Sequence, residues 1–109
     1  MNVYVIAESP NGPCKVGFAA DVRGRLSGLQ NGNPRPLAIF HQERCEMYRT
    51  AERVAHSRLW ARRMCGEWFD VPVSEAISAV RYGIEKALSA MVAREIARSR
   101  GEPPPPSWY

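Results

Sequence analysis

The sequence has no apolar run that approaches the roughly 20 residues needed for a membrane-spanning helix. It also shows no basic segment followed by an apolar stretch and a small-residue cleavage site, so no secretory signal is visible. We therefore expect a cytoplasmic protein. Cysteine is scarce, and Cys14, Cys45 and Cys65 include no closely spaced pair, which argues against a disulfide framework and predicts free thiols.

Several motifs of phosphate and metal chemistry are missing as well. The sequence contains no glycine-rich phosphate loop, no G-x-S-x-G elbow and no H-E-x-x-H helix. A zinc site could use His41, Cys45, His56 and Cys65 by residue type. Structural zinc ligands normally occur in close pairs, however, and none occurs here. The spacing therefore gives a zinc site little support.

The chain does have an uneven distribution of positive charge. Its 109 residues carry a net charge of +4, and this length suits a single domain. Residues 1–63 hold ten Lys or Arg against five acids, whereas residues 64–109 hold five against six. Thirteen of the fifteen cations are Arg, whose planar guanidinium suits phosphate contacts. The basic half indicates a polyanionic partner, although a GC-rich genome would also raise the arginine content.

The first elements predicted are two strands. Residues 3–7 and 14–18 are short β-branched and aromatic runs on either side of a cluster of turn formers, a pattern typical of a hairpin. Side chains alternate along a strand, so Val3 should share a core face with Val16. The opposite face, which carries Tyr4, should be polar.

Helical periodicity dominates the rest of the chain. Asp21 predicts the N-terminal cap of the first helix, and Ser74 that of the third. The predicted helices span residues 22–30, 47–63 and 74–100, with a third strand over 37–42 and an extended segment over 67–72 that folds back on the core. We expect an α/β fold, a small sandwich with a short antiparallel or mixed sheet flanked by helices. Residues 101–109 read as a proline-rich tail.

One candidate group for chemistry is Tyr4, Lys15 and Arg25. Hairpin geometry places Tyr4 and Lys15 on one face, and the following helix returns Arg25 beside them. A phenol, an ammonium and a guanidinium together suit an anionic substrate, and the Lys15 ammonium should lower the pKa of the Tyr4 phenol. The alternative is an ordinary strand face whose cations bury only their apolar stems.

A second candidate pair is Glu52 and His56, which lie four residues apart and therefore on one face of a helix. A carboxylate can hold Mg²⁺ when a substrate phosphate supplies further oxygens. The alternative is a solvated helix face with a weak pair.

These residues belong to a larger pattern that resembles the GIY-YIG nuclease family, and more narrowly its compact phage and bacterial branch. The resemblance covers roughly residues 2–72. It rests on Val3-Tyr4-Val5, Lys15-Val16-Gly17, Arg25-Leu26, Leu29-Gln30, Gly32-Asn33-Pro34, Pro36-Leu37, Ala51-Glu52, His56 and Gly66-Glu67-Trp68-Phe69. The second signature triplet of that branch often reads Lys-Val-Gly, and its domain closes on Gly-Glu-Trp-Phe.

The resemblance implies a metal-dependent endonuclease that hydrolyses phosphodiester bonds in nucleic acid, with DNA as the expected substrate. Tyr4 would activate water, Lys15 would replace the tyrosine of the second triplet, and Arg25 would stabilise the scissile phosphate. Glu52 would hold one Mg²⁺ or Mn²⁺ ion, with His56 in the catalytic group. Further phosphate contacts are expected from Arg23, Arg35, Arg49 and Arg53.

Two alternatives stay open. Leu29 stands where the family often has a polar residue, and the usual asparagine after the second catalytic helix has no clean counterpart, since Glu67 or its neighbours stand there. One alternative is therefore a non-catalytic nucleic-acid-binding module. The other is a protein-interaction module. Residues 1–72 would form the nuclease core, and the helix over 73–100, whose apolar stripe runs from Ile77 to Ile96, is long for that core. We expect it to pack on the core or on a partner, in a homodimer or a host complex formed through Leu88, Met91 and Val92.

Overall fold

A five-stranded sheet forms the centre of the fold in the computed structural model, which describes residues 1–103. The predicted tail lies outside the described residues from position 104 onward. The strands are β1 (Asn2–Ala7), β2 (Cys14–Ala19), β3 (Ala38–Arg44), β4 (Arg63–Cys65) and β5 (Trp68–Phe69). Their order is β3-β1-β2-β5-β4, and every neighbouring pair is antiparallel. The sheet confirms the predicted α/β class.

Three helices cover the sheet. They are α1 (Val22–Gln30), α2 (Tyr48–Leu59) and α3 (Val73–Ser99), with a 3₁₀ turn over Trp60–Arg62 after α2. The Gly24 amide donates to the Asp21 carboxylate at 3.1 Å, which confirms the predicted cap. No helix among the described residues is both long enough and apolar enough to cross a membrane.

The β1–β2 hairpin has the predicted register, but its second face is not polar. Val3 lies opposite Phe18 and Val5 opposite Val16, on the face that packs against α2 and α3. On the other face, Tyr4 and Ile6 are fully buried in a second cluster beneath α1. The prediction was wrong because the apolar stripe of α1 itself requires an apolar surface to cover.

Two helix boundaries also differ from the predictions. The second helix ends at Leu59 instead of residue 63, because Arg63–Cys65 pair with β5 and gain strand hydrogen bonds. The third helix begins at Val73 without a cap from Ser74. The Val73 amide donates instead to the Pro10 carbonyl at 2.9 Å. A carbonyl of the hairpin turn is therefore the hydrogen-bond partner of the first amide of α3.

The buried face of α3 consists mainly of small residues. It includes Ala76, Ala79, Gly83, Ala87 and Ala90. At Gly83 the α2 backbone approaches closely, and a Cβ atom there would lie 2.3 Å from the Ala51 carbonyl oxygen. Small residues thus set the separation of α2 and α3. The predicted stripe lies partly off this face, because Leu88 and Ile96 are exposed.

We therefore predict opposite effects for alanine at two helical glycines. Gly83→Ala should lower the free energy of unfolding by about 1–3 kcal/mol, because a backbone carbonyl occupies the space of the new methyl group. Gly28→Ala on α1, where nothing lies within 4 Å of the new Cβ atom, should raise it by about 0.5–1 kcal/mol. Denaturant unfolding measures both values, and a stabilising Gly83→Ala would contradict the close packing.

Candidate active site

The candidate site lies where the sheet opens beside β2. Strand β5 pairs with β2 only at Cys14 and Lys15, so the regular ladder on this side stops there. The backbone of Val16 finds other partners. Its amide donates to the Glu67 carbonyl at 3.1 Å, and its carbonyl accepts from His56 Nε2 at 2.8 Å. The turn before β5 and helix α2 therefore meet at this edge.

Gly17 gives the Tyr4 side chain, which lies on the sheet face covered by α1, space to reach the same edge of the sheet. Tyr4 on β1 pairs directly with Gly17 on β2. A Cβ atom at Gly17 would lie 2.6 Å from the Tyr4 hydroxyl oxygen and 3.1 Å from Glu67 Oε1. The missing side chain thus gives the Tyr4 phenol space beside Glu67. Within the described chain, the buried Tyr4 hydroxyl has no hydrogen-bond partner.

Three possible metal ligands converge at this point. Ligand atoms of Glu52, His56 and Glu67 all lie within 4.8 Å of one another. Glu52 Oε2 is buried and has no hydrogen-bond partner among the described residues. Because a carbonyl can only accept, His56 Nε2 donates to Val16, which leaves Nδ1 as the ring atom that could bind a cation. Two carboxylates and an imidazole form a donor set that fits a divalent cation such as Mg²⁺ or Mn²⁺.

The two carboxylates are in electrostatic conflict. Burial and the neighbouring Glu67 raise the pKa of Glu52 to about 7, against smaller opposing effects of Lys15 and Arg49. Lys15 Nζ lies 3.0 Å from Glu67 Oε1, so the cation that pairs with Glu67 also acts on Glu52. A bound divalent ion would supply the missing positive charge.

The acidity of Tyr4 differs from the sequence-based expectation. Burial, Glu67 and Glu52 raise the pKa of Tyr4 to about 12, while the Arg25 guanidinium lowers it. The charges that act on this phenol are those of Glu67, Arg25 and Glu52, whereas the expected partner Lys15 pairs with Glu67. The prediction of a lowered pKa for Tyr4 was wrong, because the sequence did not show that the phenol would be buried beside Glu67.

The other predicted arginines occupy different surroundings. Arg23, Arg49 and Arg53 are exposed, and Arg53 lines a cavity of about 560 Å³ together with Glu52, His56, Ser57 and Trp60. This cavity gives access to the candidate metal ligands. Arg35 instead forms an ion pair with Glu8, the residue that follows β1, and its Nη1 lies 3.1 Å from Glu8 Oε1.

The alternative zinc ligands are not assembled. In the described part of the chain, the one group of three or more His, Cys, Asp or Glu with suitable spacing is Glu52, His56 and Glu67. His41 is within 3.1 Å of Glu43, and all three cysteines are free.

Glu67 is the site residue that sequence reasoning did not identify. The sequence placed Glu67 in an extended segment against the core and in the Gly66-Glu67-Trp68-Phe69 motif without a role as a ligand, and Glu67 lies directly before β5, which covers two residues of that segment. A signal was present, because Glu67 is an acid between Gly66 and two aromatic residues in a segment expected to be buried. A carboxylate in such a place requires a partner or a function.

The raised pKa of Glu52 predicts that the site costs stability. Because the pKa of Glu52 is about 7 in the folded state and 4.5 for a free glutamate, the ionised carboxylate destabilises the fold fully above about pH 7. The cost declines as pH falls from 7 to 4.5. Glu52→Gln in EDTA should therefore raise the free energy of unfolding at about pH 8, on the order of 1–2 kcal/mol, with a smaller gain at about pH 5.

Denaturant unfolding at both pH values measures this effect. Glu85→Gln, which changes an exposed acid on α3, is the matched control and should show no such gain. A Glu52→Gln protein less stable than the wild type at about pH 8 would contradict the electrostatic conflict.

Comparison with known proteins gives one match. The model of the T5orf172 domain matches residues 1–82, which include all five strands and every residue of the candidate site. No curated protein and no solved structure gives a significant match. The domain occurs in phage and bacterial proteins and is associated with nucleases, which is compatible with a nucleic-acid-related role. Because the match spans most of the sequence, the chain belongs to the T5orf172 domain family.

Proposed function

We propose that this protein is a metal-dependent endonuclease of the GIY-YIG type that hydrolyses phosphodiester bonds in DNA. The observation that carries the proposal is the convergence of Glu52, His56 and Glu67 beside the unpartnered hydroxyl of Tyr4. These groups come from α2, the turn before β5 and β1, and Glu52 and His56 also line a cavity. The nuclease association of the domain family supports the same conclusion.

The residues fit a Mg²⁺ or Mn²⁺ ion held by Glu52, with Glu67 and His56 as further ligands. Such an ion, when bound, polarises a phosphate oxygen and stabilises developing negative charge. The hydrogen bond to Val16 fixes the orientation of the His56 ring. Lys15 holds Glu67 in position through its ion pair.

Tyr4 is the proposed acceptor of the proton from the attacking water. Its hydroxyl is buried and forms no hydrogen bond within the described chain, so its oxygen is free to accept a proton from a water molecule held beside Glu67. Burial is the largest cause of its raised pKa, and the carboxylates Glu67 and Glu52 are the other two. Neutralising the carboxylates removes the negative charge that opposes the phenolate and leaves Arg25 to favour it, while the effect of burial stays.

Arg25 and the exposed arginines are the proposed phosphate contacts. Arg25 is exposed and its charge lowers the pKa of Tyr4, which supports its role in stabilising the scissile phosphate. Arg23, Arg49 and Arg53 would hold neighbouring phosphates, contacts that position DNA without reading its sequence.

A non-catalytic DNA-binding module is the second candidate. Leu29 packs in the apolar cluster that contains Tyr4, so this position offers no polar group for proton transfer. That module would bind DNA in a strongly salt-dependent way and would cut with no divalent ion.

A nicking assay on supercoiled plasmid separates the two functions. The wild type should cut with Mg²⁺ or Mn²⁺ and not with EDTA, and Glu52→Gln should abolish cleavage although it keeps the fold. Glu85→Gln is again the matched control and should cut like the wild type. Salt-sensitive binding without cleavage by the wild type would favour the non-catalytic module, and full cleavage by Glu52→Gln would remove the proposed metal site.

Tyr4→Phe tests the proton acceptor. The change removes the oxygen and keeps the ring, so the single-turnover cleavage rate should fall by about 10²–10⁴, while DNA affinity stays within about twofold. Tyr82→Phe, on α3, loses a hydroxyl outside the site and should keep the wild-type rate. An undiminished rate in Tyr4→Phe would assign proton transfer to another group.

A further inference from the structure

We propose that Trp60 is a stacking platform for an unpaired DNA base next to the scissile phosphate. The inference rests on the proposed nuclease function and deepens it, because it names DNA with an unpaired or extruded base as the preferred substrate class. None of the sequence patterns described above assigned a role to Trp60.

The position of Trp60 is the first observation. It opens the 3₁₀ turn directly after α2 and is 59% exposed, although burial of an indole is strongly favourable. Its side chain lines the same cavity as Glu52 and His56. A base resting on this ring would therefore lie beside the proposed metal ligands.

Arg63 packs against the Trp60 ring. Its guanidinium lies 4.8 Å from the centre of the Trp60 ring, and its Nε donates to the Gly66 carbonyl at 2.8 Å. This cation–π contact covers one side of the ring. More than half of the Trp60 surface is still exposed, which leaves ring surface on which a base can stack.

The surrounding charge favours a nucleic acid over an apolar peptide. Arg53 lines the cavity, and Arg58 and Arg62 are exposed on the same stretch of chain as Trp60. These cations attract the phosphates of a bound nucleic acid strand. In an intact duplex both faces of a base are covered by its neighbours, so the indole can stack only on a base that is unpaired or extruded.

Fluorescence anisotropy can test the proposal with two short duplexes of otherwise identical sequence, one fully paired and one with a single unpaired adenine. The Glu52→Gln protein serves as the parent because it should bind without cutting. The parent should prefer the duplex with the unpaired base by about tenfold to a hundredfold. Adding Trp60→Ala should reduce that preference to about one, and Trp60→Phe should retain most of it.

Met64→Ala is the matched control, since Met64 is equally exposed at 59% but does not line the cavity. It should keep the preference of the parent, and thermal melts should show every variant folded. No preference in the parent, or an equal preference after Trp60→Ala, would overturn the stacking platform and leave the nuclease proposal standing. Failure of both the parent and the wild type to bind either duplex would overturn both proposals.

Discussion

The hydrogen bond from His56 to the Val16 carbonyl joins α2 to the open edge of β2, and the candidate site depends on this contact. It is possible only because β5 leaves the ladder after Lys15 and frees that carbonyl. Helix α2 is thereby held where Glu52 faces the turn that carries Glu67. The incomplete pairing of one strand thus creates the place where the possible metal ligands meet.

The site is also the least satisfied part of the described structure. The Tyr4 hydroxyl and Glu52 Oε2 are the two buried side-chain polar atoms without a partner in the described chain. Burying polar groups in this way costs free energy, and native proteins usually avoid it. Such groups gain their partners when a cation, a water molecule or a substrate enters. The cost is therefore concentrated where binding would recover it.

The scaffold around the site is correspondingly close-packed. Small residues along α3 let it approach α2 closely, with Gly83 against the Ala51 carbonyl. Ala51 lies one position before Glu52, so α3 supports the part of α2 that carries the acid. The opposite face of the sheet is closed by α1 over Tyr4 and Ile6. Rigid support on both faces limits how far the converging side chains can move apart.

The sequence by itself determined the features that depend on neighbouring residues. The Asp21 cap, the hairpin register and the shared face of Tyr4 and Lys15 follow from local backbone geometry, and so does the spacing of Glu52 and His56. The α/β class also follows from the order of these elements.

Tertiary structure alone decided what depends on distant contacts. Strands β4 and β5 are too short to show an alternating hydrophobic pattern in the sequence. Their pairing, and the placement of Glu67 beside Lys15, arise only when β5 pairs with β2 and β4 with β5. The raised pKa of Tyr4 results from the same encounter. Local periodicity shows which way a side chain points on its own element, whereas its charged neighbours are set by how the elements pack, and this is why the acidity of the site could not be read from the sequence.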